Sequence, residues 1–190
     1  FYNTISNLDF VPNSPTLFNA GRKLQQLAAC FVLPVEDSLN SIFKTLHMSA
    51  LTHQSGGGTG FNFSKLRPRG SRMKSTDGTA SGPIAFLKIF DAMTEQVKQG
   101  GKRRGANMGI LSVHHPDIEE FITCKLSHPM RNFNLSIGMT DEFMEAVIKN
   151  GTYFIVDPKT NKKTKRKAVR LFNLICETAW KSGDPGLVFI

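Results

Sequence analysis

Ser55-Gly56-Gly57-Gly58-Thr59-Gly60-Phe61-Asn62-Phe63 is the stretch on which the sequence turns, with four glycines in six positions running into an alternation of apolar and polar residues. The glycines let backbone approach a ligand closely, and the alternation reads as a strand. The run lacks the Lys-Ser/Thr ending of a P-loop and the spacing of a dinucleotide fingerprint, so taken alone it is as readily a bend or bulge as a site. Upstream, Phe31-Val32-Leu33-Pro34-Val35 reads as a buried strand. Asp37-Ser38 then caps a helix whose apolar positions Leu39, Ile42, Phe43 and Leu46 follow the three-and-four spacing. A strand feeding a helix N-terminus is a natural anion site. Downstream, Lys65 to Gly82 is polar and predicts a long exposed loop, and Pro83 to Lys98 predicts a helix with Ile84, Phe86, Leu87, Phe90 and Met93 inward. Met108 to Val113 is a short buried strand, Pro116 to Ile122 starts a helix, and Asn132 to Gly138 alternates as a strand. Thr140-Asp141-Glu142-Phe143 opens a helix running through about Lys149. Strands and helices in turn predict an α/β architecture with a mainly parallel sheet.

A chain of 190 residues, 40% of them hydrophobic, can bury a real core, and without an internal repeat or long linker it reads as one continuous domain over 1–190. It starts at Phe1 without a Met and stops in the apolar run Gly186-Leu187-Val188-Phe189-Ile190, which reads as a strand cut in mid-run, so a fragment truncated at both ends is expected. No run of 18 or more apolar residues and no signal-peptide layout is present, which gives no reason to expect a membrane span. Cys30, Cys124 and Cys176 are an odd number without CxxC spacing, pointing to a reducing, cytoplasmic setting. Cys124 and Cys176 sit on expected helices among apolar neighbours and read as core or partly buried thiols. His47, His53, His114, His115 and His128 make no metal-site spacing, so no metal ligand is expected. Asp117, Glu119 and Glu120 read as the acidic first turn of a helix.

The net charge of +9 calls for an anionic partner. In Lys98-Gln99-Gly100-Gly101-Lys102-Arg103-Arg104-Gly105-Ala106, glycines interleaved with cations can offer N–H groups and charge to a phosphate together. From Lys159 to Arg170 the cations carry no aromatic residue placed to stack on a base, and that run reads as a solvated turn.

Several of these segments, in order, resemble the large, catalytic subunit of ribonucleotide reductases. Asn13-Ser14-Pro15-Thr16-Leu17-Phe18-Asn19-Ala20-Gly21 resembles the stretch whose Thr helps hold the substrate's phosphates, and Ala28-Ala29-Cys30-Phe31-Val32-Leu33 resembles the strand bearing one of two redox cysteines. Pro34-Val35-Glu36-Asp37-Ser38-Leu39 is similar to the start of the specificity-effector helix. Gly56 to Phe63 is similar to the glycine strand under the substrate, and Gln99 to Ala106 to the loop relaying effector identity. The wording of the glycine run and of Gln99 to Gly109 is most similar to the adenosylcobalamin-dependent class, that of vitamin B12-dependent ribonucleoside-diphosphate reductases. The resemblance implies a ten-stranded α/β barrel of two antiparallel halves, of which this chain supplies about the first.

It also implies the chemistry. Replacing a ribose 2′-hydroxyl with hydrogen needs a radical at the 3′ position and two electrons, which two thiols deliver by closing to a disulfide. Cys30 is then one thiol of the redox pair, the thiyl-forming cysteine lies beyond Ile190, and the cofactor is adenosylcobalamin. Substrate contacts carried over are Thr16, Ala29, Cys30 and Gly58. Effector contacts are Asp37, toward a deoxynucleotide's sugar, with Ser38 and Leu39 beneath it and Arg67 and Lys74 toward its triphosphate. Lys98, Gln99 and Arg103 fall in the relay loop. Implied partners are a ribonucleotide, expected to be a diphosphate, a deoxynucleoside triphosphate effector, a thioredoxin-type reductant and a second copy in a homodimer, without membrane or specific nucleic acid. The fragment alone is expected to be inactive. From the residues by themselves other readings stay open: Asp37 and Ser38 as a plain cap, Thr16 as a turn residue, Cys30 as a small buried hydrophobe, and the whole as a non-catalytic nucleotide-binding or nucleic-acid-binding module.

Overall fold

The computed structural model describes residues 1–23, 25–72, 77–97 and 105–190. Two short helices, α1 (Tyr2–Ser6) and α2 (Ser14–Asn19), precede strand β1 (Cys30–Leu33), helix α3 (Leu39–Gln54) and strand β2 (Gly58–Asn62). Then come α4 (Pro83–Gln96), β3 (Asn107–Ser112), α5 (Ile118–Ser127), β4 (Phe133–Met139) and α6 (Asp141–Ile148). The hairpin β5 (Thr152–Val156) and β6 (Lys163–Lys167), helix α7 (Ala168–Ser182) and strand β7 (Gly186–Phe189) complete the described elements. Strands β1, β2, β3, β4 and β7 form one sheet in that order, every neighbouring pair parallel, as expected for half of the barrel.

Helices return the chain between parallel strands and cover the sheet, so its inner strands are apolar on both sides. In β4 the expected alternation gives way to burial of every residue from Leu135 to Met139, because both faces are covered. The centre of the core is aromatic. Phe61 meets Phe90 edge-on at 4.7 Å, and Phe63 meets the same ring at 5.9 Å.

Helix α3 faces the sheet differently from its apolar pattern. Its buried positions are Ile42, Thr45, Ser49 and His53, while Leu39 and Phe43, expected inward, are exposed. Three of the four inward side chains are polar, and each is satisfied there; Thr45, for example, donates its hydroxyl to Pro34 O at 2.6 Å. In α4, Ile84, Leu87 and Phe90 are buried as expected, but Thr94 takes the fourth buried position and Met93 is only half-buried. The loop after β2 is not uniformly exposed, since Leu66 is buried.

The basic run is more than a turn. Lys163–Lys167 is strand β6, paired antiparallel with β5, and Arg170 lies in the first turn of α7. Only the bend at 157–162 matches the expectation; the strand exists because β5 offers it a complete ladder, not because its own residues seek burial. Cys176 is exposed, contrary to expectation, because α7 turns Ala168, Leu171, Ile175 and Thr178 inward and Cys176 away. Cys124 is buried on α5, and burial pushes its thiol up to about 12.

Candidate functional site

Two groups of residues occupy opposite ends of β1 and β2. At the starting ends, Cys30 pairs in register with Gly58. The Gly58 N–H donates to Ala29 O at 2.7 Å, Ala29 is half-buried, and Cys30 is exposed with a free thiol. Gly57 cannot carry a side chain here, because an added Cβ would lie 2.7 Å from Phe31 Cε2 and 2.8 Å from Thr52 Cγ2. At Gly57 the backbone is therefore packed closely against the Phe31 ring of β1 and the end of α3.

Thr16 lies in α2, where its backbone N donates to Asn13 Oδ1 at 3.1 Å and its hydroxyl donates to the same oxygen at 2.5 Å. Its hydroxyl is thus engaged in capping its own helix. Asn13 Nδ2 donates to Leu27 O at 3.1 Å and Asn19 Nδ2 to Gln26 O at 2.8 Å, which ties α2 to the segment leading into β1. Gln26 in turn meets Ser55 Oγ at 2.6 Å, joining that segment to the glycine run. Gln26 was marked by no motif, and Asn13, at the head of the Asn13–Gly21 stretch, was given no role of its own; their contacts in the fold reveal them.

At the finishing ends of the same strands, a cleft of about 490 Å³ is lined by Asp37, Ser38, Leu39, Arg67, Gly82 and Phe86 among others. Ser38 caps α3, its Oγ accepting from Ser41 N at 3.2 Å. The positive end of that helix and a half-buried guanidinium give the cleft an anion-binding character. Arg67 and Asp37, expected to meet different parts of one ligand, grip each other. Arg67 Nε donates to both carboxylate oxygens at 3.0 and 2.9 Å, Nη2 reaches Oδ2 at 2.8 Å, and the backbone N donates to Oδ1 at 3.1 Å. The Asp37 hydrogen bond raises the pKa of Arg67 further, desolvation opposes it, and the carboxylate's charge adds to the rise. Arg67 Nη1 has no protein partner among the described residues, so it is the edge of the fork that a phosphate can take.

The Arg67 loop is pinned from behind by two residues on the way into α5. His115, buried, donates from Nε2 to Leu66 O at 2.8 Å and accepts at Nδ1 from Asp117 N at 3.0 Å. Asp117 Oδ2 accepts from Arg69 N at 2.8 Å. Burial pushes the His115 pKa down, and the Leu66 carbonyl and the carboxylates of Asp117 and Asp157 offset part of this. Lys159, from the bend before β6, approaches Asp37 Oδ2 to 3.8 Å. Sequence reasoning treated that lysine as solvent-facing, and without the β5–β6 hairpin nothing could bring it to this cleft. Lys74, Lys98, Gln99 and Arg103 lie outside the described residues.

Residues 28–190 match the family described as "Ribonucleotide reductase, barrel domain", and residues 1–25 match that described as "Ribonucleotide reductase, all-alpha domain". This chain belongs to the ribonucleotide reductase family. The barrel match contains Ala29, Cys30, Asp37, Gly58 and Arg67, whereas Thr16 falls in the helical match. Among ribonucleotide reductases, the chain is 56% identical to a vitamin B12-dependent ribonucleoside-diphosphate reductase of Thermoplasma acidophilum, over 100% of this chain and 25% of that protein. It is 52% identical to one from Mycobacterium tuberculosis, over 100% of this chain and 28% of that protein. A ribonucleoside-diphosphate reductase subunit alpha of Chlamydia trachomatis is 32% identical over 83% of this chain and 16% of its own length. The chain thus spans about a quarter of the first two relatives, the 25% and 28% just given.

Proposed function

We propose that this chain is the part of a ribonucleoside-diphosphate reductase that carries one redox thiol, a substrate-facing glycine strand and an effector cleft. The observation that carries this reading is the placement of Cys30 beside Gly58 at one end of β1 and β2, with the Asp37–Arg67 cleft at the other. In the complete enzyme, Cys30 and a second thiol give up two hydrogen atoms and close to a disulfide as the ribose 2′-hydroxyl leaves as water. Backbone at Ala29 and Gly58 lines the substrate, with Thr16 toward its phosphates. A deoxynucleoside triphosphate in the cleft sets its triphosphate against Arg67, with Lys74 a further cation, and its sugar near Asp37, Ser38 and Leu39. Lys98, Gln99 and Arg103 relay its identity toward the substrate base.

Adenosylcobalamin, in keeping with the relatives' names, would supply the radical. A thioredoxin-type protein reopens the disulfide, for which an exposed Cys30 is suited. Leu39, Phe43 and Leu51 are exposed on α3, the helix whose start lines the cleft, which favours a homodimer through that helix. Among the described residues no helix is long and apolar enough to cross a membrane, and three free thiols accord with a cytoplasmic setting. Residues 1–190 act as one unit, the bonds of Asn13 and Asn19 joining the helical start to the segment that leads into β1.

The test is turnover of a ribonucleoside diphosphate by the full-length protein containing this chain, with adenosylcobalamin and a thioredoxin system, against a Cys30→Ser variant. Expected is loss of multiple turnover in the variant. Undiminished turnover overturns the dithiol assignment, and salt-sensitive, sequence-blind DNA binding without any turnover favours a nucleic-acid-binding module.

A further inference from the structure

Between the two ends of β2 lies a buried polar network that the reading above leaves unused. His53, in the last turn of α3, and Asn107, at the start of β3, are both buried, as are Ser49, Thr59 and Thr94. His53 Nδ1 lies 2.9 Å from Gly57 O, and since a carbonyl only accepts, Nδ1 carries a proton and donates it. His53 Nε2 lies 3.0 Å from the Asn107 amide; with the proton on Nδ1, Nε2 can only accept, so the contact is a hydrogen bond when the amide is turned to present its nitrogen to the ring. The same amide group takes the Thr59 hydroxyl at 2.6 Å and contacts Thr94 Oγ1 at 2.7 Å. Thr94 donates to Phe90 O at 2.7 Å within α4, and Ser49 Oγ is 3.0 Å from Thr59 Oγ1.

Thr94 and Gly105, on either side of segment 98–104, both meet this network. Thr94 is in the last turn of α4, just ahead of the segment. Gly105, just after it, is so close that an added Cβ would collide with Thr94 Cγ2 and lie 3.4 Å from the His53 ring. Ala106 O then accepts from Thr59 N at 3.1 Å. A buried polar cluster knit by hydrogen bonds is rigid, and displacing one member leaves others unpaired at a cost, so its members are coupled to one another.

We propose that His53 is a positioning residue with two separable tasks: through Nδ1 it fixes the Gly57–Gly58 peptide beside Cys30, and through Nε2 and Asn107 it ties that peptide to Thr94 and Gly105, which flank segment 98–104. The proposal rests on the reading of Gly58 as substrate-facing and of segment 98–104 as the relay loop. Its consequence is that substrate preference passes through His53 on its way from the effector cleft, although His53 touches neither ligand.

Two substitutions divide the ring's functions, because an Asn amide nitrogen reproduces Nδ1 and a Gln amide reproduces Nε2. In the full-length enzyme, His53→Gln keeps Asn107 and loses Gly57. It is expected to lower kcat/KM for every substrate by about 10- to 100-fold, with the effector-driven preference between two substrates retained. Amide hydrogen exchange over 55–59 should quicken in the same variant, whether or not the enzyme turns over. His53→Asn keeps Gly57 and loses Asn107. It is expected to leave effector-free kcat/KM near wild type while the preference shrinks by about 5-fold or more. Thr94→Val, which exchanges the hydroxyl for a methyl of similar size, should behave like His53→Asn. Parallel loss of stability and of all activities in both His53 variants, with preference and exchange pattern unchanged, overturns the proposal, as does wild-type behaviour in both. A wild-type enzyme whose substrate preference ignores every deoxynucleoside triphosphate overturns the relay reading first, and the second task of His53 with it.

Discussion

Replacing each of three glycines of the run by alanine should have three different outcomes for three physical reasons. At Gly57 the new methyl would sit 2.7 and 2.9 Å from two carbons of the Phe31 ring and 2.8 Å from Thr52 Cγ2, so strand β1, the ring or the end of α3 must give way. Overpacking of this kind costs about 1–3 kcal/mol. For a chain of this size that is roughly 2–4 °C in Tm per kcal/mol, or a fall of about 2–12 °C. At Gly60 nothing lies closer than 3.9 Å to the added carbon, and the stiffer residue should be neutral or stabilise by about 0.4–1 kcal/mol. At Gly56 there is open space, but φ is +96°, and an L side chain there costs about 1–3 kcal/mol from backbone strain alone. Thermal unfolding followed by circular dichroism separates the three, and adding Phe31→Leu distinguishes the two costly ones. The smaller side chain should recover part of the loss at Gly57 and none at Gly56. Gly57→Ala as stable as Gly60→Ala would refute the close-packed approach of β2 to β1.

Three further outcomes follow from the geometry around the cleft and the thiols. Arg67→Leu removes the fork that holds Asp37 and should weaken deoxynucleoside triphosphate binding by roughly 10- to 100-fold in equilibrium dialysis, whereas Lys159→Ala, at 3.8 Å and largely exposed, should weaken it only about 2- to 5-fold. His115 is held neutral by burial, with its pKa below the ordinary value of 6.5, while in the unfolded chain it takes up a proton near that value. Its share of stability is therefore complete above about pH 6.5 and is lost as pH falls from there toward its folded-state pKa, at up to about 1.4 kcal/mol per pH unit. His115→Gln should flatten that part of the denaturation profile, and an unchanged slope would show that another group sets it. Iodoacetamide at neutral pH should label exposed Cys30 and Cys176 in the folded protein and reach Cys124 only after denaturation, read by peptide mass spectrometry.

What could be read from residues alone was whatever announces itself through apolar spacing or caps. The Ser38 and Thr140 caps and helix α4 did so, the caps because a hydroxyl before an apolar period leaves few alternatives; strand β1 was found from its apolar run but is not the buried strand expected, since it is an outer strand of the sheet and only Leu33 of it is buried. Helix α3 was found but turned the wrong way. Its apolar residues Leu39 and Phe43 face out while Thr45, Ser49 and His53 face in, and no hydrophobicity pattern marks a polar side chain whose partners are distant in sequence. The same limit hid Asn107 and the His115–Leu66 bond, whose partners are 54 and 49 residues away. Strand β6 has no apolar residue at all in Lys163–Lys167, so only its pairing with β5 defines it, and with it the approach of Lys159 to Asp37.

The five-stranded parallel sheet has two outer strands, and each offers one row of backbone donors and acceptors that nothing among the described residues meets. On β1 that row is accompanied by Val32, 86% exposed, and Cys30 is its first residue. Such an edge is adhesive, and on its own this polypeptide should self-associate along it until another strand is laid there. The thiol therefore stands at a seam. Its surroundings are finished by whatever strand is laid against that edge, so a change that loosens the join should be felt in thiol reactivity before it is felt in the stability of the sheet.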